Sequence, residues 1–171
     1  MTSFSGLVWR HVPVGAVPLH VGRIFKYSEG RWNRRGEYAC LYTALTREGA
    51  LAELARLRAT RGSIVGSRDL VSILVARLEP VLDLTDPPVY RVTALAAGER
   101  PDAALMTANG DAAYEHCRCL ADEARRQRCT ALVVPSAALT GDRNLIIYFD
   151  VVAPKQVDID DGPDRETVPD T

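Results

Sequence analysis

GRIFKYSEGRWNRRGEYACLYTALTREGALAELARLRATR, Gly22 to Arg61, passes from a charged loop through an apolar strand into a helix. The helix is the most firmly specified of the three. Thr46 offers an N-cap hydroxyl, Glu48 a carboxylate for the positive end of the helix, and Gly62 a stop. At about 100° per residue, Ala50, Leu54 and Leu57 share one face, Leu51 widens it, and Glu53 lies at its edge beside Leu57. A carboxylate in that position can be half-buried and still reach a cavity; it can equally pair with Arg56 or Arg58. The apolar segment before the helix, Tyr38 to Leu45, reads as a short buried strand that delivers Tyr42 and Thr43 to its end. The loop before that carries Arg23, Lys26, Arg31, Arg34 and Arg35 against Glu29, with Tyr27 and Trp32 among them. Its glycines allow the backbone to approach a ligand closely. Charge alone is equally that of a solvated basic loop.

Working outward, Leu7-Val8-Trp9-Arg10 reads as an opening strand, and His11 to Leu19, with Pro13, Gly15 and Pro18, as loop. Arg10 at that strand end suits either a rim ion pair or a pocket. On the other side, Val71 to Leu78 is β-rich and bounded by Pro80, so it is expected to be a central strand, with Val81 to Thr85 continuing it or forming another. Asp86-Pro87-Pro88 opens a short helix that Gly98 closes. A loop holding at most one helical turn then leads to a second long helix, Asp111 to Arg128, whose last turn carries Arg125, Arg126 and Arg128 at the negative end of the helix dipole. Ala131 to Val134 is a buried strand cut by Pro135, which leaves Ser136 just beyond its end; Asn144 to Val152 is the final apolar strand. Two long helices among short strands predict an α+β domain around a bent, mostly antiparallel sheet, covering residues 1–153. Residues 154–171 are expected to be a flexible acidic tail with at most a short strand at Val157 to Ile159.

The totals exclude several classes. A chain of 171 residues, nearly half apolar and a quarter charged, has the make-up of one soluble domain with a sizeable core. No run of eighteen apolar residues exists to span a membrane, and the first residues show no secretory signal. The tail carries Lys155 and Arg165 against six carboxylates, a net −4, so the net −1 of the whole leaves +3 on the body. That suits a small anionic ligand and is too weak for nucleic acid. Cys117 and Cys119 fall on opposite sides of a helix, so with Cys40 and Cys129 they are expected to be reduced core fillers in a cytoplasmic protein, and no metal is expected.

Cations, an aromatic ring and one carboxylate, gathered from loop, strand and helix, suit a nicotinamide dinucleotide: phosphates, a flat ring and a bond that breaks through a cation. Neither GxGxxG nor GxxxxGK[ST] occurs, so side chains rather than a glycine-rich turn would hold the phosphates, for which arginine forks are well shaped. A non-catalytic nucleotide or nucleic-acid binder, and a protein-docking module using the acidic tail, are the competing readings.

Gly30-Arg31-Trp32-Asn33, Tyr42 eleven positions before Glu53, and Val134-Pro135-Ser136 together resemble the RES-domain family, named for an arginine, a glutamate and a serine; Trp9-Arg10 resembles its N-terminal arginine. The resemblance runs from Leu7 to Phe149. It implies a fold similar to the ADP-ribosyltransferase core of diphtheria toxin, and a toxin of a toxin–antitoxin pair that consumes NAD+ as substrate, with phosphate, water or a host protein as acceptor. It also implies a helix-turn-helix antitoxin whose C-terminal segment blocks the pocket. By motif, Glu53, Arg31 and Tyr42 would form the catalytic set, with Arg31 on the pyrophosphate, while Arg10, Ser136, Trp32 and Asn144 would bind the substrate. Where many relatives have a histidine one turn after the glutamate, this chain has Arg56, and its closing strand reads NLIIYFDVV rather than an Asn-Pro-His-like segment.

Overall fold

The computed structural model describes residues 1–17, 19, 29–38, 40–148 and 157–170. In chain order these form β1 (Thr2–Pro13), β2 (Cys40–Ala44), α1 (Arg47–Arg61), β3 (Arg68–Asp83), α2 (Pro87–Ala96), α3 (Asp111–Arg126), β4 (Ala131–Pro135), β5 (Arg143–Tyr148) and β6 (Val157–Val168). Single 3-10 turns occupy Gly62–Val65 and Ala103–Met106. Arg23, Lys26 and Tyr27 of the basic loop, and Phe149 to Val152 of the expected last strand, lie outside the described residues.

The strands form one sheet in the order β1-β2-β5-β4-β3-β6, and β1 also pairs with β3. That second pairing joins β1, β2, β5, β4 and β3 into a ring, so the sheet curls onto itself. The α+β class holds, with a mixed sheet: β3 and β4 run parallel from Val81↔Ala131 to Asp83↔Val133, and the other pairings are antiparallel. Strand alternation fills both sides. Leu41, Ala131, Val133, Leu145 and Ile147 point inward to meet Val8, Ile73, Val75, Leu78 and Val81. Leu132, Val134, Ile146 and Tyr148 point the other way, under α2 and α3, against Tyr90, Ala94, Cys117, Leu120, Ala121 and Ala124. A third, small cluster seats α1: Ala50 packs with Ala44 and Leu70, flanked by Trp9 and Leu51.

Two strands exceed their expected lengths. β1 continues through His11 and Val12, its register with β3 running Arg10↔Val71, His11↔Leu70 and Pro13↔Arg68. β3 passes straight through Pro80. Proline lacks an amide donor and is tolerated where a ladder changes partner. Pro80 lies at such a point, between the last pair with β6 at Leu78 and the first with β4 at Val81.

The acidic tail is the clearest correction: Val157 to Val168 is an edge strand along β3, not a flexible extension. Charge that argues against burial is well suited to an edge, where it discourages pairing with other chains. The body also supplies partners. Buried Asp69 of β3 accepts hydrogen bonds from Arg165 Nη1 at 2.9 Å, Thr167 Oγ1 at 2.8 Å and the Gly15 amide at 2.9 Å. Arg58 of α1 donates to the carbonyls of Val168 and Pro169, and Arg47 pairs with Glu166. At Gly162 a Cβ would fall 2.7 Å from the Ser72 carbonyl carbon, so only glycine lets the two strands approach.

Removing residues 154–171 is therefore expected to lower Tm by roughly 10 °C or more, because it strips a whole strand and leaves Asp69 unpartnered on that side. An unchanged melting curve would return the segment to a dispensable tail. The Gly15 amide, Thr167 and Arg165 hold the Asp69 carboxyl below its ordinary 3.8. Its stabilising contribution is thus complete above that value and is lost as pH falls through the lower folded value, a loss that Asp69→Asn should abolish in acid-unfolding curves.

Candidate active site

α1 stands beside the end of the β4–β5 hairpin because its N-terminus is fastened there. Thr46 caps the helix through the Gly49 amide at 2.9 Å and donates its own hydroxyl to Asp142 Oδ2 at 2.5 Å. Gly49 has no side chain to obstruct this docking; a Cβ there would collide with the Asp142 carboxylate. One turn further on, Glu53 Oε1 accepts a hydrogen bond from Asn144 Nδ2 at 3.0 Å and a longer one from Ser136 Oγ at 3.4 Å. Neither arginine of the ion-pair reading engages Glu53: Arg56 donates to Asn109 Oδ1 at 2.6 Å, and Arg58 to Gly66, Val168 and Pro169 carbonyls.

Ser136 differs from its expected role. Its buried hydroxyl accepts from the Ala138 and Leu139 amides at 3.2 and 3.1 Å, folding the turn after β4, and donates to Glu53. It therefore helps to orient the carboxylate, while its neighbours Pro135 and Ala137 line the cavity. Asn144 does face the cavity, and its Oδ1 is buried with no hydrogen-bond partner among the described residues.

The cavity in front of Glu53 has a volume of about 390 Å³, within the range of small-ligand sites. Its walls bring together Arg10, Arg31, Tyr42, Glu53 and Asn144, which are far apart in the chain. Arg56 and Arg61 of α1 add two more guanidinium groups. The carboxylate of Glu29, also on the wall, is occupied by Arg118 at 3.1 Å. Among the described residues, four arginines against one carboxylate without an ion-pair partner make a cavity that favours anions. Burial and the neighbouring Arg68 lower Arg10 to about 10, which leaves it cationic at neutral pH. Burial, with Arg68, Arg10 and Arg58, lowers His11 to about 4, so this wall residue is neutral there.

Tyr42 explains the glycine before Arg31. Its hydroxyl donates to Asn33 Oδ1 and accepts from the Trp32 amide, each at 2.9 Å, and burial raises its pKa well above the ordinary value. A Cβ on Gly30 would overlap the Tyr42 hydroxyl and come within 2.7 Å of Asn33 Oδ1. The glycine thus makes room for the phenol, and its backbone also lines the cavity. The tyrosine as a whole is 37% exposed and lines the cavity.

Trp32 lies on the cavity wall but presents almost no surface to it. Its side chain is 3% exposed and belongs to the core with Tyr38 and Tyr148, while its carbonyl accepts from Tyr148 Oη at 3.2 Å. It anchors the loop and offers no free face for stacking. Arg34 likewise turns from the cavity to α3, forming ion pairs with Glu115 and Asp122 at 2.6 and 2.8 Å. Reasoning from sequence missed Tyr114 of α3, which lines the cavity directly under Arg31. Cys117 and Cys119 do lie on different sides of α3, buried and half-buried, and no group of three His, Cys, Asp or Glu among the described residues could hold a metal.

Residues 8–170 match the family model described as RES domain. Among solved structures, the chain is similar to one described as the crystal structure of the M. tuberculosis MbcT-MbcA toxin-antitoxin complex. The TM-score is 0.72 and the identity 19%, over 99% of this chain and 86% of that one, a likeness of fold. No curated protein matches the sequence.

Gly30→Ala is expected to destabilise the protein by about 2–3 kcal/mol in urea unfolding, because the new methyl must displace the Tyr42 hydroxyl or Asn33. Gly36→Ala, where nothing lies within 4 Å but φ is +76°, should cost about 1 kcal/mol through backbone strain alone. Equal effects at both positions would refute the crowding at Gly30.

Proposed function

We propose, because this chain belongs to the RES-domain family, that it is the enzymatic toxin of a toxin–antitoxin pair, cleaving the nicotinamide–ribose bond of NAD+ in the cytoplasm and passing ADP-ribose to phosphate or water. The observation that carries this reading is the Glu53 carboxylate, held at one oxygen by Asn144 and Ser136 and set in an arginine-lined cavity. A fold similar to that in a toxin–antitoxin complex supports it, as does an ADP-ribosyltransferase-like set of arginine, tyrosine and glutamate.

The chemistry suits these groups. The C–N bond breaks with its electron pair going to the pyridinium nitrogen, so neutral nicotinamide leaves without a proton. Positive charge then grows on the ribose, as in glycoside hydrolysis, and an oxygen of phosphate or water closes the new bond. Glu53 stabilises the developing cation and, when water is the acceptor, takes its proton. Tyr42 presents its exposed ring to the nicotinamide. Arg31 and Arg10 hold phosphate oxygens, for which a guanidinium fork is well matched. Asn144 Oδ1 is placed to accept from a ligand hydroxyl or carboxamide. An antitoxin would block this chemistry most simply by placing carboxylates among the same arginines; a helix-turn-helix protein with an acidic C-terminal segment fits that role.

Glu53→Gln keeps size and removes charge, so it should fold normally and lose roughly a hundred- to thousand-fold in kcat for NAD+. Arg31→Lys meets a charge that does not change during the reaction, so it should mainly raise KM. Undiminished NAD+ turnover in folded Glu53→Gln protein would overturn the assignment.

A further inference from the structure

The Arg31 guanidinium carbon lies 4.5 Å from the centre of the Tyr114 ring, and the Arg118 guanidinium 5.8 Å from the same ring. Arg31 is only 8% exposed, and its polar neighbours are neutral, among them the Cys117 thiol, which burial pushes up to about 11. Nη1 reaches the Leu105 carbonyl at a long 3.4 Å, and Nη2 is buried with no hydrogen-bond partner among the described residues. No carboxylate among the described residues forms an ion pair with it. A buried guanidinium without a carboxylate needs another source of negative potential, and the face of an aromatic ring supplies one.

Tyr114 and Arg118 are four residues apart on α3, hence on one face. Arg118 closes the other side of the same loop: Nε donates to the Gly30 carbonyl at 3.1 Å, and Nη1 pairs with Glu29 at 3.1 Å. One helical turn thus grips Glu29, Gly30 and Arg31 in succession. A carboxylate at position 114 would satisfy Arg31 and also neutralise it. An aromatic ring steadies the cation and leaves its charge available to an anion.

We infer that Tyr114 is a positioning residue of the site: its ring holds the Arg31 guanidinium in place for the substrate's phosphates without neutralising it. The inference rests on the NAD+ reading above. It adds a residue from outside the loop, the strand and the serine turn on which that reading was built.

The test is NAD+ kinetics on Tyr114→Phe and Tyr114→Leu, each also made in an Arg31→Lys background, with fluorinated phenylalanines at 114 as variants that keep the ring's shape while weakening its face. Tyr114→Phe should stay within about twofold of wild type. Tyr114→Leu should raise KM roughly tenfold with kcat kept, and the fluorinated series should raise KM in step with fluorination. In the Arg31→Lys background the ammonium lacks the guanidinium plane, so the further effect of Tyr114→Leu should shrink to about twofold. Unchanged KM across the fluorinated series, or equal effects in both backgrounds, would overturn the inference while leaving NAD+ turnover intact. A wild-type protein that neither binds nor turns over NAD+ would overturn the reading beneath it, and the inference with it.

Discussion

A single carboxylate oxygen ties the site to the fold. Glu53 Oε1 takes hydrogen bonds from Asn144 at the start of β5 and Ser136 just after β4, so α1 and the hairpin end must stay in register for the carboxylate to stay aimed. The N-terminus of the helix is fixed to the same hairpin through Thr46 and Asp142, and Gly49 gives that contact room. The sheet's closure serves the same end. Because β1 pairs with both β2 and β3, Arg10 is brought to the wall of the same cavity. A small displacement of α1 would shift the carboxylate relative to Arg10 and Arg31 at once, and catalysis by preorganised charge is sensitive to displacements of that size.

The basic loop is held from the other direction, by α3. Arg118 takes the Gly30 carbonyl, Tyr114 underlies Arg31, Glu115 and Asp122 take Arg34, and Asp122 also accepts from Tyr38 Oη at 2.9 Å. This explains how a loop so rich in cations avoids self-repulsion. Some of its charges are committed to α3 as ion pairs, and Arg31 is kept for the cavity by a ring that cannot neutralise it. Trp32, buried between the two, turns the loop into part of the core.

Much of this was legible where local chemistry decides the outcome. Thr46 and Gly62 bound the helix as a hydroxyl and a glycine should, and the Pro87 helix start and the Ala131 strand follow from rules of the same kind. Glu53 at the edge of an apolar face was readable from helical spacing, whereas Asn144 came only from the family resemblance. The failures share a cause: they depend on partners distant in the chain. The acidic tail looked disordered because its carboxylates were counted without Arg47, Arg58 and the β3 edge that receive them. Trp32 was expected to bind substrate because its charged neighbours were visible and the core residues Tyr38 and Tyr148 that bury it were not. Ser136 was expected to face a ligand, whereas its hydroxyl is used by its own turn and by Glu53. Tyr114 gave no sign at all, since nothing in a helix so distant along the chain announces which loop it will underlie.

The central claim is that this carboxylate, among these arginines, serves to break the nicotinamide–ribose bond. It is tested most directly by incubating the purified protein with NAD+ in phosphate buffer and following the products by mass spectrometry. The account predicts free nicotinamide appearing in a one-to-one ratio with ADP-ribose or its phosphate ester. NAD+ that stays intact, or that is cut at the pyrophosphate with nicotinamide still attached to ribose, would contradict it.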